Sequence, residues 1–362
     1  MAPQTHKAVA TTALGVFDEI DVETDIPKAG EVLLKVEYAS MIAFDTYQTD
    51  LGYVVEQYPN ILGFNASGIV AAVGPNVDSL KVGDRITAFT YLSNKQRGMQ
   101  RYCVQPISVC AKIPDSLSLA AAATIPDNFV TAYRAIFFDV GLPIPKSYTG
   151  DDTPALVDSP ILIWGGGATS AQYQIQVLRA AGYRRIFTTA SASHHEYLKS
   201  LGASDVFDYR SPTLATEIIE AAGGKRIERV VDCISAEKTI TAIAEFIDPN
   251  GILAILLPYK RGDNVRAAGD TSAMSWELWP EAPIPATVAV KGVRAFKYQD
   301  FEYLKENLLP KILPEMLEKN VIQPNRVKLL DQGTFQERVA VGLELLRKNG
   351  VHGEKIIVKV EH

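Results

Sequence analysis

The chain has 362 residues, of which 47% are apolar and 22% charged, and its formal net charge is −6. That balance belongs to a globular protein with ample core, and the length suggests two domains. The chain shows no Lys/Arg block of the kind that marks a nucleic-acid face, and no apolar run near the roughly 20 residues a membrane helix needs. Its three cysteines, Cys103, Cys110 and Cys233, have no CxxC spacing, which argues for a reduced compartment and against a disulfide framework. The first residues lack the apolar stretch of a secretory signal, so the expected address is the cytoplasm.

The first 125 residues read as β-rich. Glu31–Ile42 begins with half-buried strand alternation, Ser67–Gly74 is a strand ending in a turn, and Val82–Phe89 is a turn and strand. Short strands between Gly/Pro turns suggest a small barrel or sandwich. Ser118–Phe138 has helical composition interrupted at Pro126, and a polar, Pro-rich loop is expected from Gly141 to Pro160. Strands and helices then alternate: ILIWGG, SAQYQIQVLRAAG, RRIFTTA, HHEYLKSLGA, DVFDY, LATEIIEAAGG, IERVVDCI, AEKTITAIAEFI and GILAILL. Such βαβ alternation implies a parallel sheet covered by helices. Helices and a last strand, EKIIVKVEH, fill the region from Phe301 to His362.

Strand Ile161–Trp164 runs directly into Gly165, Gly166, Gly167, Ala168, Thr169 and Ser170, and a helix follows. Glycines permit the tight turn and the close approach of a pyrophosphate, and the helix N-terminus attracts the anion. The turn departs from the usual fingerprint, with Ala168 and Ala171 standing where glycine is common. NAD-selective sites carry an acid at the end of the second strand. Here that strand ends in small hydroxyls and two histidines, with no carboxylate before Glu196. This favours a 2′-phosphate, hence NADPH, with Ser191, His194 and Tyr209 as its contacts. Arg210 is a further phosphate candidate, and His195 reads as the start of a solvated helix.

With these residues in place, the chain resembles the medium-chain dehydrogenase/reductase superfamily. The resemblance rests on VLLKVEYAS, ILGFNASGIVAAVGPNV, LKVGDRI, TAYRAIF, the Gly-rich turn, LGASDVFDYR and HGEKIIVKV. FDTY at Phe44–Tyr47 resembles zinc-independent quinone oxidoreductases. The wording around Ile61–Val70 and the Gly-rich turn resemble fungal trans-acting enoyl reductases. The resemblance implies an α/β fold: a Rossmann doubly wound parallel sheet inserted into a GroES-like β-rich substrate domain. It divides the chain into residues 1–125, 126–298 and 299–362, the middle segment being the Rossmann domain. It also implies that the cleft between the domains holds the nicotinamide. Thr131 would stand near the nicotinamide, with Leu256, Leu257, Val351 and His352 lining its side.

Zinc dehydrogenases of this superfamily need thiolate and imidazole ligands. The segment Ser40–Asp45 has no thiol, and their Gly-His-Glu is replaced by Gly63-Phe64-Asn65. No metal is therefore expected. Without a Lewis acid, reduction of a C=C conjugated to a carbonyl remains feasible, because hydrogen-bond donors can stabilise the enolate oxygen. Tyr47 and Tyr53 are the candidate catalytic groups, weighed against a role in shaping an apolar pocket. Asp45 is read as a helix cap and also placed among the cofactor-binding candidates. Lys297 and Tyr298 are expected to be exposed rim residues. Trp276, Trp279 and Phe296 form a candidate pocket wall or subunit contact. The expected protein is an NADPH-dependent enoyl or enone reductase acting on a small molecule, a monomer or homodimer, possessing neither nucleic-acid nor membrane partners. The alternatives are an NADPH:quinone oxidoreductase and a non-catalytic NADPH-binding protein.

Overall fold

The computed structural model describes residues 2–149, 153–262 and 274–360. The chain forms two compact units. One comprises the residues up to Asp127 together with those from Phe296 onward; the other comprises Asn128–Ala295. Residues 150–152 of the expected loop and the last two residues of the expected terminal strand lie outside the described residues.

The first unit is β-rich. Its strands are β1 (Thr5–Ala13), β2 (Val16–Glu23), β3 (Glu31–Met41), β4 (Asn60–Ile61), β5 (Asn65–Val73), β6 (Arg85–Phe89), β7 (Tyr102–Pro106) and β8 (Cys110–Lys112). The last segment adds two more, which follow the second unit in the chain. β1, β2 and β4 form a small antiparallel sheet. The hairpin between β1 and β2 went unassigned in the sequence, although Gly15, at φ +76°, marks its turn. Inside lies an aliphatic core that includes Val9, Leu34, Val36, Val70, Ile86, Val339 and Val358. Helix α1 (Ala43–Leu51) follows β3, the four-residue α2 (Leu119–Ala122) follows β8, and α3 (Pro126–Arg134) carries the chain into the second unit. Pro126 begins a helix here instead of interrupting one, since a first-turn proline gives up no helical hydrogen bond.

The second unit alternates strand and helix: β9 (Ile161–Trp164), α4 (Thr169–Ala180), β10 (Ile186–Thr189), α5 (His195–Leu201), β11 (Asp205–Phe207), α6 (Leu214–Ala221), β12 (Ile227–Asp232), α7 (Glu237–Ala244) and β13 (Ile247–Leu256). A short β14 (Tyr259–Lys260) pairs with β15 (Met274–Ser275), and β16 (Ala289–Val293) completes the main sheet. That sheet has six strands in the order β11-β10-β9-β12-β13-β16, every described pair parallel. β9 and β10 are buried throughout, as a sheet covered on both faces requires.

The chain then returns to the first unit with α8 (Glu302–Asn307), α9 (Leu313–Glu318), β17 (Arg326–Leu330), α10 (Phe335–Arg347) and β18 (Glu354–Lys359). β18 lies between β17 and β3 in the larger sheet of this unit, whose order is β17-β18-β3-β5-β6-β8 with β7 also paired to β3. Thr334 and Glu337 close a reciprocal capping box at the start of α10.

Candidate cofactor and substrate sites

In the second unit the Gly-rich turn leaves β9 and enters α4, as the sequence suggests. Gly165 adopts φ +82°, a conformation open to glycine, and an added Cβ would lie 2.6 Å from Ile234. A Cβ on Gly166 would collide with Thr188 Oγ1 and sit 2.9 Å from Leu198 Cδ1. Above Gly167 the space is open, the nearest neighbour being His194 Cδ2 at 3.9 Å from a hypothetical Cβ. Neighbouring groups hold the turn in place. Gly165 N donates to Thr189 Oγ1 at 3.0 Å, Gly166 N donates to Thr189 O at 2.8 Å, and Ala168 N donates to Gly165 O at 2.9 Å. The turn thus combines close-packed glycines below, open space above and the N-terminus of a 12-residue helix. These features fit a dinucleotide pyrophosphate.

Ser191 and Tyr209 follow the paired strands β10 and β11, so they stand at neighbouring strand ends. His194 reaches back beside Gly167. His195 opens α5 and its Nε2 is 3.1 Å from Ala190 O, a local structural contact. Arg210 is engaged by an acid the sequence reading passed over. Its Nε and Nη2 donate to Asp208 Oδ1 and Oδ2 at 2.9 and 2.7 Å, which holds the Asp208 carboxyl down at about 2. Asp208 belongs to the third strand's end, but Ala190 N donates to Phe207 O, so that end runs alongside the second. Leu256 and Leu257 are half-buried at the end of β13. Thr131 is the single residue between Ala122 and Phe137 that is not buried.

The candidate substrate groups cluster in the first unit. The Phe44 ring lies 5.5 Å from Phe64, 5.6 Å from Phe296, 6.0 Å from Tyr47 and 5.8 Å from Tyr53, centroid to centroid. Tyr47 lies on α1 and is buried; Tyr53 follows the left-handed Gly52 cap and is half-buried, which raises its phenol. Val351 is half-buried and His352 exposed in the turn before β18.

Several expectations need correction. Asp45 is completely buried, and its carboxylate accepts from Ile42 N at 2.8 Å and Gly63 N at 2.9 Å. It caps α1 from the helix's third position and offers no exposed atom to a cofactor; burial pushes its carboxyl up to about 6. Tyr298, expected on the rim, is fully buried and its hydroxyl donates to Ser108 O at 3.3 Å; Lys297 is exposed. The three-member aromatic wall is divided. Phe296 joins the first unit's cluster, Trp279 packs edge-on against Tyr259 in the second, and Trp276 in the second unit is exposed. Cys103 and Cys110 are buried.

Besides Asp208, two further residues carry no signal in the sequence pattern. Arg97 is buried with its guanidinium 4.1 Å over the centre of the Phe64 ring. Asn128, on α3, accepts from Thr169 Oγ1 at 3.2 Å.

Two family models match the chain: the alcohol dehydrogenase GroES-like domain over residues 28–132 and the zinc-binding dehydrogenase over residues 171–256. The lovastatin nonaketide synthase enoyl reductase component lovC of Aspergillus terreus is 30% identical over 312 residues, covering 83% of this chain and 82% of that protein. The trans-enoyl reductase himH of Aspergillus japonicus is 29% identical over 335 residues, covering 91% and 90%. The solved structure of CurK enoyl reductase is alike in fold, with a TM-score of 0.76 at 20% identity over 99% of both chains. A quinone oxidoreductase of Pseudomonas syringae pv. Tomato DC3000 is alike at 0.75 and 19%, covering 98% and 99%. With a Gly-rich strand-to-helix turn on a parallel sheet, inserted in the sequence of a GroES-like unit, the chain belongs to the medium-chain dehydrogenase/reductase superfamily, whose members are oxidoreductases that use a nicotinamide cofactor. Within that superfamily it is similar over most of its length to fungal trans-enoyl reductases.

Proposed function

We propose that this chain is an NADPH-dependent reductase that works without zinc and saturates the C=C bond of an α,β-unsaturated carbonyl compound, in secondary metabolism. The observation that carries this reading is the aromatic contact of Phe44, Phe64 and Phe296, which fills the two segments where zinc dehydrogenases keep ligands. Among the described residues, no three His, Cys, Asp or Glu side chains stand together as a metal site. The relatives himH and lovC, both named as enoyl reductases, point to the same chemistry. Gly165–Ser170 would hold the pyrophosphate; Ser191, His194 and Tyr209 the 2′-phosphate; Thr131, Leu256, Leu257, Val351 and His352 the nicotinamide half. The bound dihydronicotinamide supplies a hydride. The protein's own groups orient the enone, exclude water, and place Tyr47 and Tyr53 as hydroxyl donors for the carbonyl oxygen. The same reading takes the protein as a cytoplasmic monomer or homodimer; no described helix is long and apolar enough to cross a membrane.

The test is oxidation of NADPH against NADH with 2-enones, enoyl thioesters and quinones, together with metal analysis. Turnover of enones or enoyl thioesters with NADPH supports the reading, whereas stoichiometric zinc overturns its zinc-free part. Quinone turnover alone favours the second reading, a quinone reductase, to which the FDTY segment points. Tight NADPH binding with no turnover favours a non-catalytic role. Tyr209→Phe with His194→Ala should weaken NADPH and spare NADH; unchanged NADPH affinity removes the 2′-phosphate assignment.

A further inference from the structure

Arg97 is the least satisfied cation in the first unit's aromatic cluster. The residue is 9% exposed, and neither Nε nor Nη1 has a hydrogen-bond acceptor among the described residues. Buried guanidinium nitrogens ordinarily have acceptors, because leaving them without one costs the full desolvation of the group. The nearest countercharge does not meet this demand. Asp45 attracts Arg97 electrostatically, but its oxygens are taken by the amides of Ile42 and Gly63, and no ion pair within 4 Å joins the two side chains. The loop around Arg97 is rigidly committed elsewhere. Gly98 N donates to Gly63 O at 3.0 Å, Met99 N donates to Leu62 O at 2.9 Å, and Gln100 Nε2 donates to Arg97 O at 2.8 Å. What remains is a fixed positive charge with spare N–H donors, stacked on Phe64, whose other ring neighbours are Phe44 and Phe296.

We propose that Arg97 is the oxygen-binding cation of the substrate site, taking the carbonyl oxygen of the enone as it becomes an enolate. This rests on the reductase reading above. The balance of the step is simple. Hydride from NADPH forms a C–H bond at the β-carbon, the C=C pair shifts to join the α-carbon to the carbonyl carbon, and the carbonyl π pair moves onto oxygen as negative charge. NADP+ and an enolate result, and the α-carbon then takes a proton from water. The oxygen gains charge only as the reaction proceeds, so a preset buried cation stabilises the transition state more than the substrate. Arginine suits this place because it stays charged when buried and tolerates an aromatic face.

The experiment compares wild type with Arg97→Met, which keeps the apolar stem, and Arg97→Ala. Two measurements are made beside NADPH affinity and thermal stability. The first is turnover of the best enone acceptor; the second is binding of acetylacetone enolate, followed by its absorbance. Expected for Arg97→Met is a kcat loss of about hundredfold with NADPH affinity unchanged. Enolate binding should weaken at least tenfold, and added guanidinium should partly restore Arg97→Ala. Wild-type turnover or wild-type enolate affinity in Arg97→Met overturns the assignment. So does a loss of NADPH affinity parallel to the loss of turnover, which marks a structural role. If the wild-type protein itself reduces no enone or enoyl thioester, the reductase reading falls first and this inference with it.

Discussion

Thr169 Oγ1 donates a hydrogen bond to Asn128 Oδ1 at 3.2 Å, tying the first residue of the phosphate-turn helix to the first turn of α3. Thr131 lies three residues after Asn128, on the same helix face. The bond therefore fixes Thr131 relative to the phosphate turn. Asn128→Ala should cost about 1 kcal/mol of cofactor binding, roughly fivefold in the NADPH Kd. Binding of 2′,5′-ADP, which lacks the pyrophosphate and nicotinamide, should be unchanged. In a Thr169→Val background the Asn128→Ala effect should vanish; persistence of the full effect would show that the pair does not act as a unit.

The packing of Gly166 sets a second expectation. A methyl group there meets Thr188 and Leu198, both in the core beneath the turn. Gly166→Ala should lose NADPH binding in a fluorescence titration and lower stability by about 1–3 kcal/mol. Gly167→Ala meets only His194 at van der Waals distance, so its stability should match wild type.

Lys355 and Asp127 form a buried ion pair at 2.7 Å, and Asp127 N also donates to Asn65 Oδ1 at 2.8 Å. Lys355 Nζ donates to Asp127 Oδ2, and Oδ1 accepts no hydrogen bond among the described residues, so Lys355 is the carboxylate's main support. Lys355→Met should destabilise by about 3–5 kcal/mol in urea unfolding, because it strands a buried charge. Adding Asp127→Asn should recover most of that loss. Additive losses would show that each residue acts alone.

Lys260 is buried in the second unit near Asp232, and burial lowers its amine to about 8 from the ordinary 10.5. Between those values the unfolded chain holds a proton that the folded chain has released, so this group makes stability rise with pH. Below about pH 8 the cost of the buried charge is present in full. Asp232 keeps its own donors, the amides of Ile234 and Ser235 and the Thr239 hydroxyl. Lys260→Met should therefore be more stable than wild type at pH 7, with the advantage shrinking toward pH 10. An advantage that does not change across that range would rule out titration of Lys260 as its source.

The Gly-rich strand-to-helix turn was legible in the sequence because strand, glycines and helix are contiguous, and backbone conformation there is a local property. The parallel sheet was legible for the same reason, through alternating apolar strands and helices. Arg97 was not, because its burial depends on Phe64, which the distant segment between β4 and β5 brings to it. Asp208 escaped because strand pairing, not sequence spacing, sets it beside the second strand's end. Tyr298 was misjudged because it stands between two polar residues: Lys297 is exposed, but Gln299 Nε2 donates to the Tyr298 hydroxyl at 3.0 Å while the ring enters the core. The grouping of Trp276, Trp279 and Phe296 failed because the division between the two units falls between Ala295 and Phe296, and nothing local marks it.

The position of β18 bears on how the protein is made. This strand spans Glu354–Lys359, more than 300 residues after β3, yet it sits inside a sheet, bonded to β17 on one side and to β3 on the other. A growing chain can pair the first half of β3 with β7, but carries the Tyr38–Met41 half without its β18 partner until Glu354–Lys359 have been made. The parallel-sheet unit is encoded in one piece and can close earlier on the ribosome. The β-rich unit must wait for pairings more than 300 residues apart, the kind of contact that slows folding. A nascent chain stopped before Glu354 would hold a folded parallel-sheet unit and, in the β-rich unit, an open, aggregation-prone stretch of sheet edge.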